Sequence, residues 1–148
     1  MLISDITEKT QVAFDKGDTI AHCTLTSILQ HFQGQGEEVR NYLVVEKVSK
    51  TLRKHEEDLA SMEEGNPGIG IIAKAVEVLK GLIPSPLTEE DTKEILKTLC
   101  RKYRGNKELT IEEAKDILGI NITLVYSLYG AIWAEVKKEI EDSVNKNS

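Results

Sequence analysis

Apolar residues recur along this chain at spacings of three and four, the period of one face of an α-helix. Leu2, Ile6, Ala13 and Phe14 mark a first amphipathic helix over about Leu2 to Lys16, which Gly17 stops. Asp18 is then placed to cap a second helix, in which Ala21, Leu25, Ile28, Leu29 and Phe32 share a side and Gly34 and Gly36 bring the end. From Glu37 to about Met62 the pattern predicts one long helix, with Val45, Val48, Leu52, His55, Leu59 and Met62 as the centre of a first core. Glu63 to Gly70 holds too many helix breakers to be anything but a loop, and a fourth helix follows over about Ile71 to Leu82.

The run Leu82-Ile83-Pro84-Ser85-Pro86-Leu87 cannot continue that helix, because proline lacks the N–H and clashes with the preceding turn. Thr88, with Asp91 three positions later, opens the next helix in capping-box fashion. Ile95, Leu96, Leu99, Cys100 and Tyr103 form its stripe, and Gly105-Asn106 ends it. Thr110 and Glu113 predict a second capping box, with Leu109 stapled onto Ala114, before a two-turn helix that Gly119 closes. A last helix, about Ile122 to Ser143, carries Val125, Leu128, Tyr129, Ile132, Trp133, Val136 and Ile140 on one face. No strand alternation of useful length occurs, so the expected fold is all-α: an N-terminal four-helix unit over residues 1–84 and a C-terminal three-helix bundle over residues 85–148.

Composition narrows the function classes. Aromatics make up 5% of the 148 residues, so Leu, Ile, Val and Ala must fill the cores. The formal net charge of −6 argues against indiscriminate attraction to phosphate polymers, while leaving room for a local basic face. Cys23 and Cys100 form no Cys-x-x-Cys, and the first residues lack the charged start and long apolar run of a signal peptide. A reduced, cytoplasmic setting is expected, with both thiols buried as small hydrophobes. No segment approaches the roughly 20 apolar residues needed to cross a bilayer, so no membrane partner is expected.

The clearest candidate surface is Lys97, Arg101, Lys102, Arg104 and Lys107. Lys97, Arg101 and Arg104 lie four and three apart, on one helical face, and cations near a helix C-terminus are stabilised by its dipole without any ligand. The plain reading is therefore a solvated helix end. The functional one is a patch that grips RNA backbone phosphates and sets position, not sequence. Lys47, Lys50, Arg53 and Lys54 on the long helix interleave with Glu46, Glu56 and Glu57 and read as a solvated face.

Other constellations carry less. His55, inside the apolar stripe, reads as a core histidine hydrogen-bonded to a neighbouring helix. His22 and Cys23 are adjacent, hence about 100° apart on a helix, and form no dyad. Gly65 to Gly70 lacks the Gly-Lys-Ser/Thr ending of a phosphate loop and follows a helix instead of a strand. Tyr129 and Trp133 read as the aromatic centre of the small core. Neither a metal site nor a cofactor site is expected, since no ligand spacing supports one.

The order of elements and several local segments resemble the YqeY family, small proteins related to the C-terminal tail of the B subunit of tRNA-dependent amidotransferase. The similar segments are the first helix with Lys16-Gly17-Asp18, then Thr24 to Leu29, Glu56-Glu57-Asp58-Leu59, the loop at Gly65, and Val78-Leu79 leading through Leu82-Ile83-Pro84 to Leu87-Thr88-Glu89-Glu90. They cover roughly residues 2 to 100. Ala21 and Thr26 stand where the family commonly has arginine, Pro86 replaces its usual glutamine, and Gly119 to Thr123 departs from its glycine- and lysine-rich tail segment.

The resemblance implies a non-catalytic accessory protein that binds or positions tRNA, with any carbon–nitrogen ligase label, glutamine as amido donor, inherited from the large amidotransferase. The competing expectation is a helical protein–protein interaction adaptor with no RNA binding, whose C-terminal apolar residues dock onto a protein partner or a second copy. An enzyme built on Cys23 or Cys100 would need a thiol of low pKa.

Overall fold

The structure, a computed structural model, describes residues 2–35 and 39–146, and for Lys146 the backbone alone. Among these residues it is all-helical: α1 (Leu2–Asp15), α2 (Thr19–His31), α3 (Asn41–Ser61), α4 (Ile69–Lys80), α5 (Glu89–Tyr103), α6 (Lys107–Lys115) and α7 (Ile122–Lys146). Contacts divide the chain into two compact units, Met1–Pro84 and Ser85–Ser148. No helix among the described residues is long and apolar enough to cross a membrane.

In the first unit α1 packs on α2, α2 on α4 and α4 on α3. Gly17, at φ +69°, makes the left-handed turn after α1 that a Cβ would resist. Asp18 then caps α2 by accepting the Ala21 N–H at 3.2 Å, and its carboxylate reaches Lys74 of α4 at 2.9 Å. The Lys74 hydrogen bond first, and that N–H second, hold the Asp18 carboxyl below the usual aspartate range. At the far end, the Leu2 N–H donates to Asn41 Oδ1 at 2.9 Å, tying the start of α1 to the start of α3. Ile6, Ile28, Val44, Val48 and Leu79 are fully enclosed between these helices.

Several expectations shift. α3 begins at Asn41, after an Arg40 that offers no side-chain cap, and the expected start at Glu37 and stop at Gly36 lie outside the described residues. Val44 and Val48 are its fully enclosed valines and Val45 is only half-buried, because Val44, Val48 and Leu52, four apart, form the inward line of the helix. Phe14 is 66% exposed instead of joining the core; its ring rests tilted on His22, 5.5 Å between centroids. Cys23 is exposed, whereas Cys100 is buried. Helix α4 starts two residues early, at Ile69, because the Asn66 side chain accepts the Gly68 N–H at 2.8 Å and turns the chain at once into the helix.

In the second unit α5 packs against α7 and α6, and α6 packs more lightly on α7. Leu96, Leu99 and Cys100 of α5 meet Ile111 and Ala114 of α6 and Val125, Tyr129, Ile132 and Val136 of α7. Gly119, at φ +84°, accepts the Leu87 N–H at 2.9 Å and sits so close to the Ser85 carbonyl that a Cβ would collide with it. The loop after α6 is thereby bonded to the segment that enters α5.

The second capping box does not form. Asn106 caps α6 by accepting the Leu109 N–H at 3.1 Å, and Thr110 lies within the helix, fully buried, its hydroxyl donating to the Asn106 carbonyl at 2.9 Å. Leu109 is half-exposed, at the third position of α6, and not the residue before its cap that a staple needs. Asparagine is as good a cap as threonine, and taking it starts α6 a turn earlier, a turn that buries Thr110.

Candidate functional site

Helix α5 carries its charges in the order the dipole favours. Glu89, Glu90 and Asp91 occupy the first turn, where the Thr88 hydroxyl accepts the Asp91 N–H at 3.1 Å, and Arg101 and Lys102 occupy the last. Turning Leu96, Leu99 and Cys100 into the core leaves Lys97 and Arg101 on successive turns at the rim facing α7.

Both cations meet carboxylates there. The Lys97 ammonium lies 3.2 Å from Glu135 of α7 and 3.7 Å from Glu94 of its own helix, with its side chain only 23% exposed. The hydrogen bond to Glu135, and then that group's charge, raise the Lys97 pKa above the ordinary lysine value. Arg101 donates from Nε at 3.3 Å and from Nη2 at 3.0 Å to one oxygen of Glu139. Glu135 and Glu139 are four residues apart, as are Lys97 and Arg101, so two turns of α5 answer two turns of α7.

Around the end of α5 the remaining cations spread out. Lys102 reaches both oxygens of Glu113 on α6, at 2.9 and 3.3 Å, which raises its pKa; its ammonium also lies 5.1 Å from the Tyr103 ring centroid. Arg104 ends the helix in the left-handed conformation, φ 46° and ψ 50°, so it does not extend the row of Lys97 and Arg101. Lys107 opens α6 with its ammonium 5.6 Å from the Tyr129 ring centroid. Among the described residues, no carboxylate pairs with Arg104 or Lys107.

The sequence therefore located the cations and missed their partners. Glu135 and Glu139 were legible as a matching pair at four-residue spacing, but only the packing of α7 on α5 shows which charges they face. On α3, Lys50 pairs with Glu46 at 3.0 Å, as expected of a solvated face.

Thr26 Oγ1, His55 Nδ1 and the Tyr129 hydroxyl are buried with no hydrogen-bond partner among the described residues, so His55 Nδ1 does not make the bond to a neighbouring helix that its place in the stripe suggested. Burial, and secondarily the neighbouring Cys100, raises the Tyr129 pKa; burial alone raises that of Cys100, the opposite of what a thiolate nucleophile needs. Among the described residues no three His, Cys, Asp or Glu side chains gather in a metal-holding group.

The first unit has a shallow groove of about 360 Å³ lined by Ile20, Cys23 and Ser27 of α2, His55 of α3, and Ile71 and Ala75 of α4. It is mostly apolar because α2 contains no Lys, Arg, Asp or Glu. Ile71 on its wall is 57% exposed.

No family model matches the chain, and neither a curated protein nor a solved structure does so.

Proposed function

We propose that the chain is a non-catalytic accessory protein, a four-helix part followed by a three-helix bundle, that positions tRNA in the cytoplasm by gripping its phosphates. The YqeY resemblance implies this reading. The observation that carries it is the concentration of Lys97, Arg101, Lys102, Arg104 and Lys107 within eleven residues at one end of the second unit, in a chain of net charge −6. The carboxylates that hold three of them do so in surface pairs, well exposed at Arg101 and Lys102 and partly shielded at Lys97, and such pairs are weak enough for a row of phosphates to displace.

Contacts of this kind fix position without reading bases. Fluorescence anisotropy of labelled bulk tRNA should therefore show saturable binding that weakens steeply with salt and is lost in the Arg101→Ala/Arg104→Ala variant. Absence of binding at low salt overturns the reading.

One observation favours a second reading, the protein–protein adaptor without RNA binding. The charge-free α2 and the exposed Ile71 give the first unit an apolar groove suited to the apolar face of a partner helix. This moves the docking surface from the second unit, where the sequence suggested it, to the first. Such binding would hardly respond to salt and would be lost in Ile71→Asp.

A further inference from the structure

The charges of the second unit are arranged as a competition. Arg101 presents one guanidinium edge, Nε and Nη2, to Glu139, and that edge is one of the two by which the side chain can grip a phosphate. Lys97 is held between Glu135 and Glu94, and Lys102 spans both oxygens of Glu113. Arg104 and Lys107 have no carboxylate partner among the described residues. The five cations are thus graded: two are open to a phosphate, and three are held by an acidic group that occupies the phosphate's place.

We infer that Glu135 and Glu139 of α7, aided by Glu113 of α6, act as built-in phosphate competitors that weaken RNA binding and reduce its salt dependence. The inference rests on the RNA-positioning reading and concerns the regulation of that same surface. A phosphate that takes Arg101 from Glu139 sheds its own counterions, but the freed carboxylate gathers cations in turn, so net counterion release is smaller than the contact count suggests. Wild-type protein should show the salt slope of about two phosphate contacts, and removing the α7 carboxylates should raise it toward four.

The test uses the full chain and fluorescently labelled bulk tRNA, titrated between about 50 and 200 mM salt. Glu135→Gln/Glu139→Gln should bind about threefold to tenfold tighter than wild type at the lower salt, with a slope steeper by about 1.5 to 2. Glu139→Gln alone, a milder change to the fold, should show a gain of about twofold to threefold. Glu89→Gln/Glu90→Gln in the first turn of α5 removes the same charge from the other end of that helix and should gain less, because at about 1.5 Å per residue it lies roughly 16–18 Å along the helix from Arg101, beyond the roughly 10 Å to which screening confines an exposed charge.

Equal gains in the α5 first-turn and α7 variants would overturn the inference, since the effect would then be net charge alone. Wild-type binding with no change in either α7 variant would overturn it while leaving the RNA reading in place. Failure of wild type and α7 variants alike to bind at low salt would remove the RNA reading and the inference with it.

Discussion

The backbone of Gly105 lies against the indole of Trp133. A Cβ at Gly105 would sit 2.5 Å from Trp133 Cζ2 and 2.9 Å from Cε2, and the residue already adopts φ +87°. Two costs therefore meet at one position, left-handed strain and collision with a ring packed against the core of the second unit. Gly105→Ala should lower stability by about 2–4 kcal/mol. Gly17→Ala, where φ is +69° but the space is open, should cost only about 1–2 kcal/mol. Urea unfolding of both variants checks the difference, and in a Trp133→Leu background the Gly105→Ala penalty should shrink toward that of Gly17→Ala.

The cap of α6 gives a second comparison. Asn106→Ala removes the side chain that accepts the Leu109 N–H and should cost about 1 kcal/mol. Replacing Thr110 with Ser keeps the hydroxyl that donates to the Asn106 carbonyl but removes a buried methyl, for a loss of about 1 kcal/mol. If Thr110 were the cap, Ser would replace it without loss. Thermal melting of the two variants distinguishes the arrangements.

On α3, Val44→Ala should cost about 2–3 kcal/mol, since Val44 is fully enclosed, and Val45→Ala clearly less. Denaturant midpoints compared at equal m-value check the order.

These cases show where the sequence was legible. Helix existence came through because the apolar period is unambiguous over each element, and so did the caps at Asp18 and Thr88, where a good capping residue directly precedes a periodic run. The α6 cap was missed because Asn106 and Thr110 are both chemically competent, and the choice falls to the tertiary burial of Thr110. Val44 and Val45 are chemically identical neighbours, so only contact with other helices decides which one turns inward. The carboxylate partners of Lys97 and Arg101 lie 38 residues away along the chain, beyond any local rule.

The two units should fail at opposite ends of the pH scale. Asp18 has a lowered pKa, so its contribution to the first unit is present above about pH 4 and is lost as pH falls through its folded value. In the second unit Lys97 and Lys102 are raised by their carboxylates, and Cys100 and Tyr129 by burial. All four hold protons more tightly folded than unfolded, so stability is full below about pH 8.5 and erodes as pH rises, the thiol first. Fluorescence of Trp133, the chain's one tryptophan, isolates the second unit in such a titration. Tyr129→Phe removes a buried hydroxyl that has no partner among the described residues and should raise stability at neutral pH by about 1 kcal/mol, while trimming the alkaline loss.

The unequal burial of the two cysteines makes each unit distinguishable to a thiol reagent. Cys23 lies open on α2 and should react at once, whatever the state of the rest of the chain. Cys100 is sealed beneath α7 and reacts only when that packing opens. The delay between the first and second equivalents of label is therefore a clock for the breathing of the second unit, built into the unmodified protein. A ligand that tightens the contact of α5 with α7 would slow the second reaction and leave the first untouched.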